Sequence, residues 1–113
     1  MTDQQSAVNY TNYLAVDELL ELQRPLSEGP EHDEMLFIVI HQVYELWFKQ
    51  ILHEIDALKV ALESGESFDA AAKLNRIKMI LAVCILQIDV LVTMTPLQFC
   101  AFRDRLVSAS GFQ

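Results

Sequence analysis

Apolar residues in the second half of the chain recur at the spacing of an amphipathic helix. Between residues 67 and 94 they alternate steps of three and four, at Leu74, Ile77, Leu81, Cys84, Ile88 and Leu91. Such steps keep side chains on one side of an α-helix, so this series predicts the seam by which the helix packs against a neighbour. Residues 33–64 contain no glycine or proline and predict a second long helix.

Start and stop signals divide the chain into an N-terminal arm and four helices. Asp33 is the predicted N-cap of the first long helix, and Gly65 follows its end. Thr95, Pro96 and Gln98 predict a capping box at the start of the last helix. The predicted elements are an arm at residues 1–15 and helices at about residues 16–23, 33–64, 67–94 and 96–106. The predicted fold class is all-α, with two long antiparallel helices and short flanking helices.

The first long helix is apolar on two faces. One stripe contains Ile40, Val43, Trp47, Ile51 and Ile55, and the other contains Phe37, Tyr44 and Phe48. One partner helix covers only one face, and exposed aromatic surface costs about 25 cal/mol per Å². We therefore expect a second layer from another chain or a cofactor, which makes this a helical bundle completed by oligomerisation.

Composition bounds the class of protein. With 113 residues, 52% of them apolar, the chain is long enough for one helical domain spanning residues 1–113. Sixteen acidic residues against eight basic ones argue against nucleic acid and anionic membranes as partners. The longest apolar run, residues 79–86, is too short to cross a bilayer, and no signal peptide is apparent, so we expect a cytoplasmic protein. Cys84 and Cys100 are predicted to be buried thiols.

His41 is the first candidate for chemistry. Phe37 and Glu45 lie one turn before and after it, on the same side of the helix. An imidazole in an aromatic wall can make one directed hydrogen bond or titrate near neutral pH, but a core histidine with a backbone or carboxylate partner fits the same pattern. A metal site with His41 and Glu45 lacks further ligands. The acidic cluster at residues 31–34 is interpreted as helix capping and compensation of the helix dipole, without chemistry.

Arg103 is the second candidate. Phe99, Phe102 and Leu106 are apolar neighbours that would partly bury it, and a buried guanidinium requires a planar anion such as a carboxylate. A surface arginine paired with Asp104 fits the local sequence equally well. Both interpretations stay open on spacing alone.

Two further segments carry weaker signals. Tyr10 and Tyr13 can present an aromatic face to a partner subunit or attach the arm to its own core. Residues 108–112 are predicted to form a small-residue turn, where backbone N–H groups and Ser110 can approach a ligand, but a plain helix terminator fits the same sequence. The sequence contains no nucleophile elbow, glycine-rich phosphate loop or HExxH motif, so hydrolase and nucleotide chemistry have no support.

Four segments, in order, resemble one enzyme family. They are Tyr10-x-x-Tyr13-Leu14, residues 32–49 (HDEMLFIVIHQVYELWFK), Phe102-Arg103 and residues 109–113 (ASGFQ). Together they resemble the N-terminal part of tryptophan 2,3-dioxygenase over nearly the whole chain. The resemblance implies an all-helical, homotetrameric haem b protein of tryptophan catabolism by the kynurenine pathway. Its reaction inserts both atoms of O2 across the indole C2–C3 bond of L-tryptophan and gives N-formylkynurenine.

The resemblance also implies roles for single residues. His41 matches the distal histidine, which hydrogen-bonds the indole N–H, and Phe37 matches the phenylalanine that walls the indole and O2 site. Arg103 matches the arginine that clamps the substrate carboxylate, a contact that orients the substrate as well as binding it. Ser110 and Gly111 match the small-residue loop beside the distal face of the haem.

Further matched residues concern the rim of the substrate site. Tyr10, Tyr13 and Leu14 match residues that cover the indole from a neighbouring subunit. At Phe99 the family can carry a tyrosine whose hydroxyl assists the carboxylate clamp. This chain lacks that hydroxyl, so Arg103 would work with one fewer partner.

The family's proximal haem-ligating histidine lies outside the part that this chain resembles. His32, His41 and His53 do not match it, so no metal ligand is assigned and haem binding by this chain alone is doubtful. A fragment of a longer enzyme, a truncated gene product and a short homologue with another use are three open alternatives. The competing hypothesis is a non-catalytic helical oligomerisation or small-ligand-binding module derived from the family. A plain structural bundle would instead scatter Phe37, His41 and Arg103.

Overall fold

A computed structural model describes residues 7–27 and 31–106 of the chain. The helices of this part are α1 (Tyr10–Tyr13), α2 (Val16–Leu19), α3 (His32–Glu63), α4 (Ser67–Leu91) and α5 (Pro96–Arg103). No strand occurs among the described residues. The prediction of an all-α fold is confirmed.

The two long helices pack against each other in antiparallel orientation. The Tyr44 hydroxyl donates a hydrogen bond of 2.8 Å to the Cys84 carbonyl. Farther along α3, the Glu54 carboxylate lies 3.4 Å from the guanidinium of Arg76, which precedes Cys84 in the chain. As residue numbers rise along α3, the numbers of their partners on α4 fall, so the two helices are antiparallel, as predicted from the sequence.

The ends of α3 show one correct and one wrong capping prediction. Gly65 adopts a left-handed φ of 71°, which glycine tolerates without steric cost. The N–H of Glu66 then bonds the Ala61 carbonyl at 2.8 Å, so the helix ends in a Schellman motif. At the other end the N-cap is Glu31, whose side chain makes no capping bond, and α3 already begins at His32. The predicted Asp33 cap is therefore wrong.

The seam between the long helices differs from the predicted one. Its buried and half-buried positions on α3 are Ile40, Tyr44, Trp47, Ile51, Glu54, Leu58 and Ala61. The corresponding positions on α4 are Ala70, Lys73, Ile77, Ile80, Cys84, Gln87 and Leu91. Both series alternate steps of three and four, as in a coiled coil. The predicted seam residues Leu74, Leu81 and Ile88 are about half exposed instead. The prediction is confirmed for Ile77, Cys84 and Leu91. Apolar periodicity missed other seam positions because they include the polar residues Lys73 and Gln87.

Glu54 is a buried carboxylate within this seam. Burial by itself raises the pKa of Glu54, but hydrogen bonds from Gln50 and Arg76, together with the charges of Arg76 and Lys73, outweigh it. The net pKa lies below the ordinary value, so the carboxylate stays ionised and paired at neutral pH. A paired charge at one seam position disfavours any slip of the two helices past each other, because a slip would bury Glu54 without its cationic partner Arg76.

Helix α5 packs onto the start of α3. Phe37, Phe102 and Leu106 form a buried cluster, against which Met94 and Phe99 pack. The capping box is confirmed, because the Thr95 hydroxyl accepts from the N–H of Gln98 while the Gln98 side chain accepts from the N–H of Thr95. The helix ends at Arg103, three residues before the predicted end, and α4 likewise ends three residues early.

Replacing Thr95 with alanine is expected to lower the free energy of unfolding by about 1 kcal/mol, since the first turn of α5 loses its N-cap acceptor. Urea denaturation of the 113-residue chain measures the change. Thr93→Ala is the matched control, because the Thr93 hydroxyl only bonds the exposed Val90 carbonyl. Equal losses in both variants would contradict a specific role for the cap.

The N-terminal part is more ordered than a plain arm. A reciprocal pair between Asn9 and Asn12 caps α1, which lies inside the segment predicted as an arm. Ala15 then adopts a left-handed φ of 52°, which separates α1 from α2. Helix α2 ends at Leu19, four residues before the predicted end.

The described residues do not form a compact globule. Their radius of gyration is 19.0 Å, whereas a compact domain of this length has about 13 Å. Large apolar side chains remain exposed on both long helices, among them Leu46, Leu52, Leu74, Ile85 and Leu86. Cys84 is buried as predicted, but Cys100 is exposed, so that part of the cysteine prediction is wrong.

Membrane-spanning potential is limited in the described part of the chain. No single helix there is long and apolar enough to cross a bilayer. Helices α4 and α5 together are long and apolar enough for a bent membrane span, with an angle of 88° between them, but by length and composition only.

Candidate functional site

An aromatic wall formed by Phe37, Phe99 and Phe102 lies beside His41 at the junction of α3 and α5. The ring of Phe37 lies 4.3 Å from the imidazole of His41, centroid to centroid. On its other sides Phe37 stacks on Phe99 at 5.7 Å and meets Phe102 edge to face at 5.6 Å. The i, i+4 spacing on α3 brings Phe37 and His41 together, and the packing of α5 supplies the other two rings.

One nitrogen of His41 is engaged by the backbone of its own helix. Its Nδ1 lies 2.6 Å from the Phe37 carbonyl oxygen. Because a carbonyl oxygen only accepts, Nδ1 carries the proton in this contact, and Nε2 of the neutral ring is left as an acceptor. The backbone partner expected for a core histidine is therefore present. It uses only one of the two nitrogens, and the half-buried ring also faces open space.

Two open cavities adjoin this imidazole. The first, of about 280 Å³, is lined by Arg24, Leu26, Glu34, Phe37, Ile38, His41, Gln42 and Leu106. The second, of about 430 Å³, is lined by Leu19, Leu22, His41, Gln42, Glu45, Leu46 and Lys49. His41 and Gln42 belong to both linings, so the imidazole lies where the cavities meet. The larger cavity falls within the volume range of small-molecule sites, about 300–1,000 Å³.

Glu34 is a residue of this site that the sequence interpretation missed. It is fully buried and accepts hydrogen bonds from the backbone N–H groups of Leu26 and Ser27 and from the Ser27 hydroxyl. Burial alone raises the pKa of Glu34, but these hydrogen bonds and the charge of Arg105 outweigh it and hold the pKa below its ordinary value. The interpretation as helix capping is thus wrong for Glu34, whereas its position in the first turn of α3 agrees with the predicted compensation of the helix dipole. Its spacing of three and seven residues from Phe37 and His41 was the available signal.

The structure places the other predicted site residues unevenly around this wall. Phe99 is one of the three rings of the wall and stacks on Phe37. Arg103 is exposed in the last turn of α5, four residues after Phe99 and on the same helix face, and it lines neither cavity. The expected partial burial of Arg103 is therefore not observed. Within the described residues it forms no ion pair with Asp104 either.

The remaining predicted residues lie away from this wall or outside the described part. Tyr10 and Tyr13 are each 76% exposed, and Leu14 is 46% exposed. Their helix, α1, packs only with α2 among the described helices. Ser110 and Gly111 lie outside the described residues. In residues 7–27 and 31–106, no group of three or more His, Cys, Asp or Glu side chains could hold a metal ion.

Comparisons with known proteins agree on one family. A family model described as tryptophan 2,3-dioxygenase matches residues 1–113. The tryptophan 2,3-dioxygenase of Herpetosiphon aurantiacus is 61% identical over 107 residues, which cover 95% of this chain and 41% of the relative. The enzyme of that name from Anaeromyxobacter sp. strain K is 58% identical, covering 96% of this chain and 40% of the relative. The tryptophan 2,3-dioxygenase of Anopheles gambiae is 50% identical, over 92% of this chain and 29% of the relative.

These matches fix the family and the extent of the likeness. The chain spans about two fifths of the length of the two bacterial relatives, and its match to the family model extends over its whole length. The chain belongs to the tryptophan 2,3-dioxygenase family.

Proposed function

We propose that this chain forms the substrate-side wall of a haem dioxygenase that acts on L-tryptophan. The reaction inserts both atoms of O2 across the indole C2–C3 bond and yields N-formylkynurenine, so that no further reductant is needed. The observation that carries the proposal is the His41 imidazole, which stands in an aromatic wall with Nε2 left as an acceptor. An acceptor beside aromatic rings suits an indole, which has a flat apolar body and one N–H donor.

Each residue of the proposed substrate site has a distinct role. His41 Nε2 accepts the hydrogen bond of the indole N–H and fixes the rotation of the ring in its plane. Phe37 limits the space beside the indole, and its own position is fixed by Phe99 and Phe102. Arg103 reaches from the last turn of α5 to the substrate carboxylate, where its planar fork can make two parallel hydrogen bonds.

In this proposal the haem lies against the aromatic wall and is held mainly by residues other than those of the wall. Bound haem supplies the iron that binds and activates O2. The described residues offer an apolar aromatic surface with one imidazole acceptor, which suits the substrate side of a haem pocket. Ser110 and Gly111 are proposed to lie beside the same face of the haem, and no axial ligand is assigned to this chain.

A homo-oligomer, a tetramer as in the family resemblance, completes the site in this proposal. The exposed Tyr10, Tyr13 and Leu14 would then cover the indole in a neighbouring subunit. Support comes from α1, which among the described helices packs only with α2 and so leaves its tyrosines available to another chain. The exposed apolar side chains of α3 and α4 supply further surface for assembly.

A chimera provides the test of the His41 assignment. This chain replaces the matching 41% of the Herpetosiphon aurantiacus relative, and the affinity for L-tryptophan is compared with that for its N1-methyl derivative, which lacks the indole N–H. His41→Ala is expected to weaken L-tryptophan binding about tenfold, since one buried hydrogen bond contributes about 1 kcal/mol and an unpaired N–H adds a further cost. Binding of the N1-methyl derivative should change far less.

The matched control is His53→Ala, which removes an exposed histidine twelve residues farther along α3. It should leave both affinities unchanged. If His41→Ala weakened both ligands equally, the hydrogen bond from the indole N–H would be contradicted, and His41 would serve only to pack against the substrate.

A further inference from the structure

A short segment before α3 crosses the face of this helix that carries His41. Residues 22–27, here named the strap, follow α2 and contain no helix of their own. Arg24 and Leu26 of the strap line the 280 Å³ cavity together with Phe37 and His41. The strap is therefore one wall of the candidate site, although no sequence motif marks it.

The strap is held at both ends by side chains of α3. At one end the N–H groups of Leu26 and Ser27 donate to the two carboxylate oxygens of Glu34 at 2.7 and 3.0 Å. At the other end the Gln42 amide donates to the Leu22 carbonyl at 3.1 Å and accepts from the Gln23 amide at 2.9 Å. The Ser27 hydroxyl also donates to Glu34, so one end of the strap has three hydrogen bonds to Glu34 and the other has two to Gln42.

The two anchors bracket the imidazole. Glu34 precedes His41 by seven residues, which is two helical turns along the same face and about 10 Å. Gln42 directly follows His41 and lines both cavities. The side chains of Glu34 and Gln42 are both bonded to the strap. A substitution at either position would therefore displace the wall that faces the imidazole.

We propose that Glu34 and Gln42 are positioning residues that hold the strap as a wall of the tryptophan site. The proposal deepens the proposed function and rests on it, because L-tryptophan is the ligand whose fit the strap sets. The Glu34 carboxylate makes charge-assisted hydrogen bonds to backbone N–H groups, which are stronger than neutral ones, so it fixes the backbone itself and not only a side chain.

The first part of the test is nuclear magnetic resonance of the 113-residue chain. In Glu34→Gln the amide protons of Leu26 and Ser27 are expected to shift upfield and to exchange with solvent about tenfold faster or more, because a carboxamide offers one acceptor oxygen instead of two. Asp33→Asn is the matched control, since it removes the same charge from the same helical turn. Unchanged amides in Glu34→Gln would overturn the proposal.

The second part measures L-tryptophan in the chimera. Glu34→Gln and Gln42→Leu are expected to raise both Kd and KM about tenfold while kcat stays within about threefold, whereas Asp33→Asn leaves all three unchanged. A purely structural defect would lower the active fraction, and with it kcat, without raising KM. If Glu34→Gln does not fold, Ser27→Ala removes one bond of the same anchor and is expected to raise Kd by a smaller factor.

The outcomes separate this inference from the proposed function. Faster amide exchange with unchanged Kd and KM would overturn the positioning role, because the strap would then belong to the fold and not to the site. A chimera that binds L-tryptophan without oxidising it would contradict the proposed function, and the Kd comparison would still decide the role of Glu34. A chimera that does not bind L-tryptophan would overturn both.

Discussion

Replacing Arg103 with leucine is expected to raise the KM of the chimera for L-tryptophan by about ten- to a hundredfold. Hydrogen bonds to a charged group contribute about 1.5–3 kcal/mol, and every 1.4 kcal/mol is a factor of ten. Phe99, one turn earlier on the same face, has no hydroxyl that could take over part of the contact. Phe99 therefore cannot compensate for the loss of the carboxylate contact in Arg103→Leu. A fall in kcat is also expected, because the clamp orients the ring as well as binding it.

Two further variants give this prediction its controls. Arg103→Lys keeps the charge but loses the planar fork, so its KM should lie between those of the parent and of Arg103→Leu. Lys78→Leu removes an exposed cation from α4 and should change nothing. An unchanged KM in Arg103→Leu would remove Arg103 from the substrate site and leave it as the surface arginine that its exposure also allows.

Replacing Phe102 with alanine is expected to lower the free energy of unfolding of the chain by about 3–5 kcal/mol. Phe102 is only 1% exposed, and its ring packs against Phe37 and Phe99 at centroid distances of 5.6 and 5.5 Å. Alanine removes one of the two rings of α5 that pack on Phe37 of α3 and leaves a cavity in the aromatic wall. Urea denaturation followed by circular dichroism measures the loss.

The control for this variant lies on the same helix. Leu97 is 82% exposed, so Leu97→Ala should change the free energy of unfolding by no more than about 0.5 kcal/mol. If Phe102→Ala cost less than about 1 kcal/mol, the packing of α5 on α3 would be contradicted. The aromatic wall around His41 would then lack its support.

The helices were predictable where local chemistry decides them. The Thr95 capping box and the glycine after α3 are signals confined to a few residues, and both predict the observed caps. The seam was less predictable, because polar residues occupy several of its positions, Glu54 on α3 and Lys73 and Gln87 on α4. Glu54 occupies a seam position and is paired with Arg76, 22 residues later in the chain. Periodicity of apolar residues alone favoured Leu74 and Leu81, which are exposed.

The candidate site was predictable only along α3. Phe37 and His41 are one turn apart, so their contact follows from helical geometry. Glu34 and Gln42 lie on the same face, but their role depends on the path of residues 22–27, which no local pattern determines. The roles of Arg103, Tyr10, Tyr13 and Leu14 come from the family resemblance and remain predictions.

Turnover by the chimera is the decisive measurement for the proposed dioxygenase function. The haem-loaded chimera is incubated with L-tryptophan under isotopically labelled dioxygen, and the product is identified by mass spectrometry. We expect N-formylkynurenine that carries both labelled oxygen atoms, formed at a rate that falls in Arg103→Leu and persists in His53→Ala. A folded, haem-loaded chimera that leaves L-tryptophan unchanged would contradict the proposed dioxygenase function and would favour a non-catalytic helical module derived from the family.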